Sequence, residues 1–174
     1  LGFFYAAITV GSVLVTLTSG WTRTYRFHGR AVIFAAMGWG LAIAAAGLSK
    51  SLALVLLFLT IAGAFDMVSA LFRGNIWNQT IPDSLRGRLA GIELLSYSVG
   101  PLGGQMRAGT FAAVTNLKTS VISGGLLCIG FVSIATAALP KFRKYDVQTN
   151  EFAVEQRKLR AENPKMAENS DSDQ

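Results

Sequence analysis

Glu93, Gln105 and Arg107 stand in one glycine-rich stretch, NQTIPDSLRGRLAGIELLSYSVGPLGGQMRAG (78–109), whose latter part is otherwise apolar. An ionisable side chain at the centre of a membrane helix costs roughly 2.5–3.5 kcal/mol on insertion scales, so such groups line a pathway or pair with one another. At helical spacing Glu93, Tyr97, Gly100, Gly104 and Arg107 fall on one stripe, in steps of four, three, four and three, with Ser96 and Gly103 beside it. Glycines at that spacing admit a second helix, and Pro101 removes a helix hydrogen bond, which predicts a bend at Gly100–Pro101. The stripe therefore reads as facing protein or a cavity, with Tyr97, Gln105 and Arg107 giving a pathway its polarity. Packing alone is the plainer reading of the glycines.

Asp66 is a second buried-looking acid, about six residues and so roughly 9 Å before the end of its apolar run. Glu93 sits at comparable depth in the next run. Two acids at one level can share a proton site. Alternatively, they can hold Arg30, Arg73, Arg86 or Arg88 in salt bridges that close one end of a bundle, and the excess of arginines favours this gate. Arg107 lies about 14 residues, or ~21 Å, beyond Glu93, so it needs a partner from another helix or a ligand.

Other chemistry is poorly supplied. Cys128 is the sole cysteine and His28 the sole histidine, which predicts no disulfide framework, no metal cluster and no cofactor site. GPLGGQMRAG has no preceding strand and no Lys-Ser/Thr, so it is not read as a phosphate cradle. Without a nucleophile–base pair, the chain is not expected to be an enzyme. A pI near 9.8 raises the question of nucleic acid. The basic residues, however, punctuate apolar runs, and no nucleic-acid partner is expected.

The elements that must position these residues are apolar. Charged residues make up only 15% of the chain against about 25% in soluble domains, and the mean hydropathy is +0.41. Five segments are long enough, or nearly so, to cross a ~30 Å hydrocarbon core: 1–18, 31–48, 52–72, 89–114 and 119–139. Backbone groups in lipid must be satisfied within each segment, so all five read as helices of one bundle over 1–139. PDSLRGR (82–88) reads as a helix start with Asp83 as its cap.

Residues 1–140 hold nine Lys and Arg against three acids, while 141–174 hold seven of each sign. The connections 19–30, 73–88 and 140–145 are basic, whereas 49–51 and 115–118 are minimal, carrying Lys50 and Lys118. The positive-inside rule then places the basic loops and the C-terminus in the cytoplasm. Residues 140–174 read as a cytoplasmic tail, with a short amphipathic helix around Phe152 and Leu159 followed by a disordered end. The chain opens at Leu1, inside an apolar run, and reads as a piece of a longer polytopic protein.

LTSG closing the first segment, HGR ending its basic loop, NQTIPDSLRGRLAGIE after the third, and GPLGG…RAG in the fourth give a resemblance. Residues 1 to about 145 resemble the C-terminal half of a major facilitator superfamily transporter, in its enterobactin-exporter-like siderophore and multidrug branch. The basic loop 19–30 departs from the family's pattern by lacking its acidic position, and GPLGG is one residue shorter than the usual antiporter motif. The resemblance implies five helices of the six-helix C-terminal half of a twelve-helix carrier in a bacterial inner membrane. It implies alternating access and proton-driven export of a siderophore or drug-like molecule held near the midplane. The partners would be the missing N-terminal half, the lipid bilayer, a small-molecule substrate and protons. From another class, a non-transporting membrane scaffold would use the polar stripe to contact partner helices.

Overall fold

The computed structural model describes residues 2–23, 25–81 and 83–139, together with Val154, Glu155 and Lys158. Among these residues the structure is all-α, with no strand. Helix α1 spans Gly2–Leu17 and is followed by a single 3-10 segment, Ser19–Arg23. Helices α2 (His28–Leu48), α3 (Leu52–Thr80), α4 (Asp83–Val114) and α5 (Leu117–Ala138) complete the described bundle. The three isolated tail residues are helical, and the rest of the tail, including the expected amphipathic face at Phe152 and Leu159, lies outside the described residues.

The turns at one end are tight for local reasons. Ser49 leaves α2 in an extended conformation while its N–H still donates to Ala45 O at 3.0 Å, and Ser51 is extended before α3. Asn116 caps α5, its Oδ1 accepting from the Thr119 N–H at 2.8 Å and the Thr119 hydroxyl at 2.9 Å. At the other end the helices overrun their apolar stretches. Residues 73–80, read as loop from composition, continue α3, and 83–88 already belong to α4. Outside a bilayer, water satisfies a helix's flank, so polar residues end an apolar run without ending the helix. Helix α2 likewise begins at His28 rather than 31.

Helices α2, α3 and α5 are long and apolar enough to cross a membrane. Helix α1 is apolar over its 16 residues, and α4, with 32, is long but not apolar enough on the same measure. Its Glu93, Gln105 and Arg107, with the glycines between them, dilute the apolar content.

Packing runs in the order α1, α3, α2, α5, α4, with α3 seated between α1 and α2 and with α4 held chiefly by α5. Two seams of small residues make this possible. A Cβ placed on Gly63 would strike the Ile8 backbone of α1, and one on Gly11 would strike the Thr60 backbone of α3. The Ser12 hydroxyl crosses the same seam to Gly63 O at 3.1 Å. In the second seam a Cβ on Gly40 would lie 2.9 Å from Gly125 O, and one on Gly125 2.8 Å from Ala44 N. Close approach of backbones is the usual means of joining helices where no hydrophobic force acts between them.

The glycines of α4 behave otherwise. A Cβ on Gly91, Gly100, Gly103, Gly104 or Gly109 would meet nothing within 4 Å. The close packing expected of the Gly100–Gly104 stripe is thus not made among the described residues. Spacing along one helix shows that a partner can approach, and says nothing of which partner is there.

Candidate functional site

Asp66 stands at the midpoint of α3, fourteen residues after Leu52 and fourteen before Thr80. Helical geometry aligns Val55, Leu59, Ala62, Asp66 and Arg73 along one side of α3, in steps of four, three, four and seven. The flanks of the same helix are occupied: Thr60, Gly63 and Ala64 meet α1, while Phe65 and Phe72 lie against Gly38 and His28 of α2. Asp66 is exposed although Ala62 and Ser69, four before and three after it, are buried. At Asp66 and Arg73 this side of α3 is thus left uncovered by the described residues, whereas Ala62 between them and the cavity end is buried.

Each end of that side is furnished differently. At the end of the short loops, Val55 and Leu59 help to line a cavity of about 630 Å³, shared with Phe4, Tyr5, Ala46 and Val121 and edged by Lys118. That volume falls within the roughly 300–1,000 Å³ of small-molecule pockets. At the basic end, the Arg73 guanidinium carbon lies 5.4 Å from the centroid of the Tyr97 ring on α4. Side chains lean toward the N-terminus of their own helix. Arg73 therefore leans inward along α3, its Nε donating to Ser69 O at 3.3 Å, and Tyr97 leans outward along α4, so the two meet. Glu93 stands one turn before Tyr97 on the same helix.

The residues singled out from sequence are thus only partly gathered. Arg73, Tyr97 and Glu93 come together, and Tyr97 belongs with the basic end rather than with Gln105 and Arg107. Counted from their helix ends at Thr80 and Asp83, Asp66 lies about 21 Å and Glu93 about 15 Å along the bundle, about 6 Å apart in level. Arg73 reaches α4 through an aromatic face, and Arg30 lies over the Phe27 ring at 4.9 Å. Arg88 is exposed, and the side chain of Arg86 lies outside the described residues.

Arg107 has found its partner on α5. Its Nη2 donates to Ser120 O at 3.5 Å, and a Cβ on Gly124 would sit 2.9 Å from that nitrogen. Ser120, 1% exposed, returns the contact by donating its hydroxyl to Ala108 O at 2.8 Å. Gln105 is exposed, and Pro101 sits inside α4, where it cannot donate to the Tyr97 carbonyl. Sequence reasoning missed the cavity residues Val55 and Leu59. Their spacing of eleven and seven from Asp66 was the available signal.

The fold and this side of α3 define a class: an all-α, multi-pass membrane protein with an exposed acid and a cation–aromatic contact along one helix. Among curated proteins the chain is similar to the enterobactin exporter EntS of Escherichia coli O81 (strain ED1a), with 29% identity over 147 residues that cover 83% of this chain and 35% of that protein. It is similar in the same degree to the enterobactin exporter EntS of Shigella flexneri, with 29% identity over 147 residues, 83% of this chain and 36% of that protein. The chain thus spans about a third of the length of the curated relatives it matches. No family model matches it, and no solved structure does. Both relatives are named as enterobactin exporters.

Proposed function

We propose that this chain forms five helices of the C-terminal half of a twelve-helix major facilitator carrier, which exports a siderophore or drug-like molecule across a bacterial inner membrane. The observation that carries the reading is the 147-residue similarity to enterobactin exporters, which runs through most of the bundle. In this reading the open side of α3 is one wall of the substrate route, and the N-terminal half supplies the other. The exposed stripe of α4, with Gly100, Pro101, Gly103 and Gly104, bends and packs against that half. Alternating access then rocks the halves about a site near the midplane.

The polar residues divide by level. Asp66, at the middle of α3, takes and releases the coupling proton. Glu93, Arg73, Arg30, Arg86 and Arg88 close the cytoplasmic end, and the C-terminus is cytoplasmic with them. Gln105 polarises the external half. Arg107, already committed to Ser120 O, offers its remaining guanidinium donors to an anionic group.

The test is export by the full-length protein reconstituted in proteoliposomes, with an imposed proton gradient and a catecholate siderophore or a lipophilic dye as cargo. Gradient-dependent movement that Asp66→Asn abolishes supports the reading. A correctly inserted protein that moves neither cargo, and instead co-purifies with other membrane subunits, sinks it in favour of a scaffold.

A further inference from the structure

We infer that Tyr97 is a positioning residue, the aromatic half of a latch that holds the cytoplasmic ends of α3 and α4 together, with Arg73 as its cationic half. The inference rests on the reading of this end as a gate, and it changes what closes that gate. Acid–base pairs were the obvious candidates. The described contact is instead a guanidinium 5.4 Å from a ring centroid, within the ~6 Å at which a cation is attracted to an aromatic face.

Three observations make it a device rather than a chance neighbour. Little else ties α4 to α3, since α4 packs chiefly on α5. Arg73 is held for the task, its Nε fixed to Ser69 O at 3.3 Å and Ser69 itself buried. The Tyr97 ring is 44% exposed, so the contact can open without tearing a packed core. A cation on a ring face gives attraction without the narrow directionality of a bidentate ion pair, which suits a joint that must be remade in each cycle.

The latch is testable by distance. Gly74 and Gly91 accept spin labels, because a Cβ on either meets nothing within 4 Å. In the full-length reconstituted protein carrying Cys128→Ser, labels at Gly74→Cys and Gly91→Cys should report mainly one short separation by pulsed electron paramagnetic resonance. Tyr97→Leu should populate a second, longer separation, raising the open fraction relative to closed by roughly two- to fivefold, the worth of an exposed cation–π contact. Arg73→Gln should do the same, the double variant should do no more than either, and Tyr97→Phe, which keeps the ring, should retain the short separation. Unchanged distances in Tyr97→Leu, or additive effects in the double variant, overturn the latch. Export is measured on the same variants. Opening by distance with export unaltered leaves the latch standing and removes its place in a gate, whereas unaltered distances with lost export remove the latch and leave the gate.

Discussion

Gly63→Ala offers the sharpest test of how the bundle is held. The added methyl would point into the Ile8 backbone of α1, which, unlike the tip of a flexible side chain, cannot swing aside. Helices α1 and α3 must separate, which costs about 1–3 kcal/mol as overpacking. Separation also stretches the bond from Ser12 Oγ to Gly63 O, 3.1 Å long, which contributes about 0.5–1.5 kcal/mol. Against this, alanine for glycine inside a helix returns about 0.5–1 kcal/mol. The net expectation is a loss of about 0.5–4 kcal/mol, on the weights just given. Gly91→Ala in α4 is the matched control, because its Cβ meets nothing and only the propensity gain remains. The pair would be compared by titrating the purified protein from mild detergent with dodecyl sulfate and following helicity. Gly63→Ala should unfold earlier than the parent and Gly91→Ala no earlier. Equal shifts in the two variants would refute the seam as the origin of the α1–α3 contact.

Three further outcomes are expected on the proposed function. Cysteines at Ser51 and Asn116, in a protein carrying Cys128→Ser, should react with an impermeant thiol reagent added to whole cells, and Thr80→Cys should not; the reverse pattern inverts the orientation. Asp66→Asn should leave insertion and thermal stability near the parent's, since the side chain is exposed, while export loses its dependence on the proton gradient. Arg107→Lys keeps a charge but loses the fork that serves Ser120 O and a second acceptor together, so export should fall severalfold with insertion normal. Full export by Arg107→Ala would reduce the residue to a surface bystander.

Much of the bundle was legible as apolar length, and the end of each short loop could be placed within a few residues by Ser51 and Asn116. The overrun of α3 to Thr80 was not legible, because Arg73, Asn75, Asn78 and Gln79 compose like a loop while hydrogen-bonding like a helix. Helical spacing did bring Glu93 to Tyr97. It could not bring Arg73 to them, since that depends on the opposite lean of side chains on two antiparallel helices. Arg107 was read as needing a partner from another helix or a ligand. Its partner is a backbone carbonyl, a group every residue carries and no sequence advertises. The α4 glycines drew attention by their density, whereas the seams in use rest on Gly11, Gly63, Gly40 and Gly125, spread over four helices.

The mutual grip of α4 and α5 bears on how the chain enters a membrane at all. Helix α4 is too polar to partition readily by itself, whereas α5 is apolar enough to cross a membrane, and only Thr115 and Asn116 separate them. Ser120 and Arg107 satisfy one another's helices across this hairpin, so the pair conceals within itself polar groups that α4 alone would present to lipid. The unit of insertion is then the hairpin, with α5 as passenger in sequence and sponsor in energy. A lesion such as Ser120→Leu should appear during biogenesis, as α4 left outside the bilayer while α1 to α3 are placed normally. Glycosylation acceptors engineered into the 115–118 turn would register it.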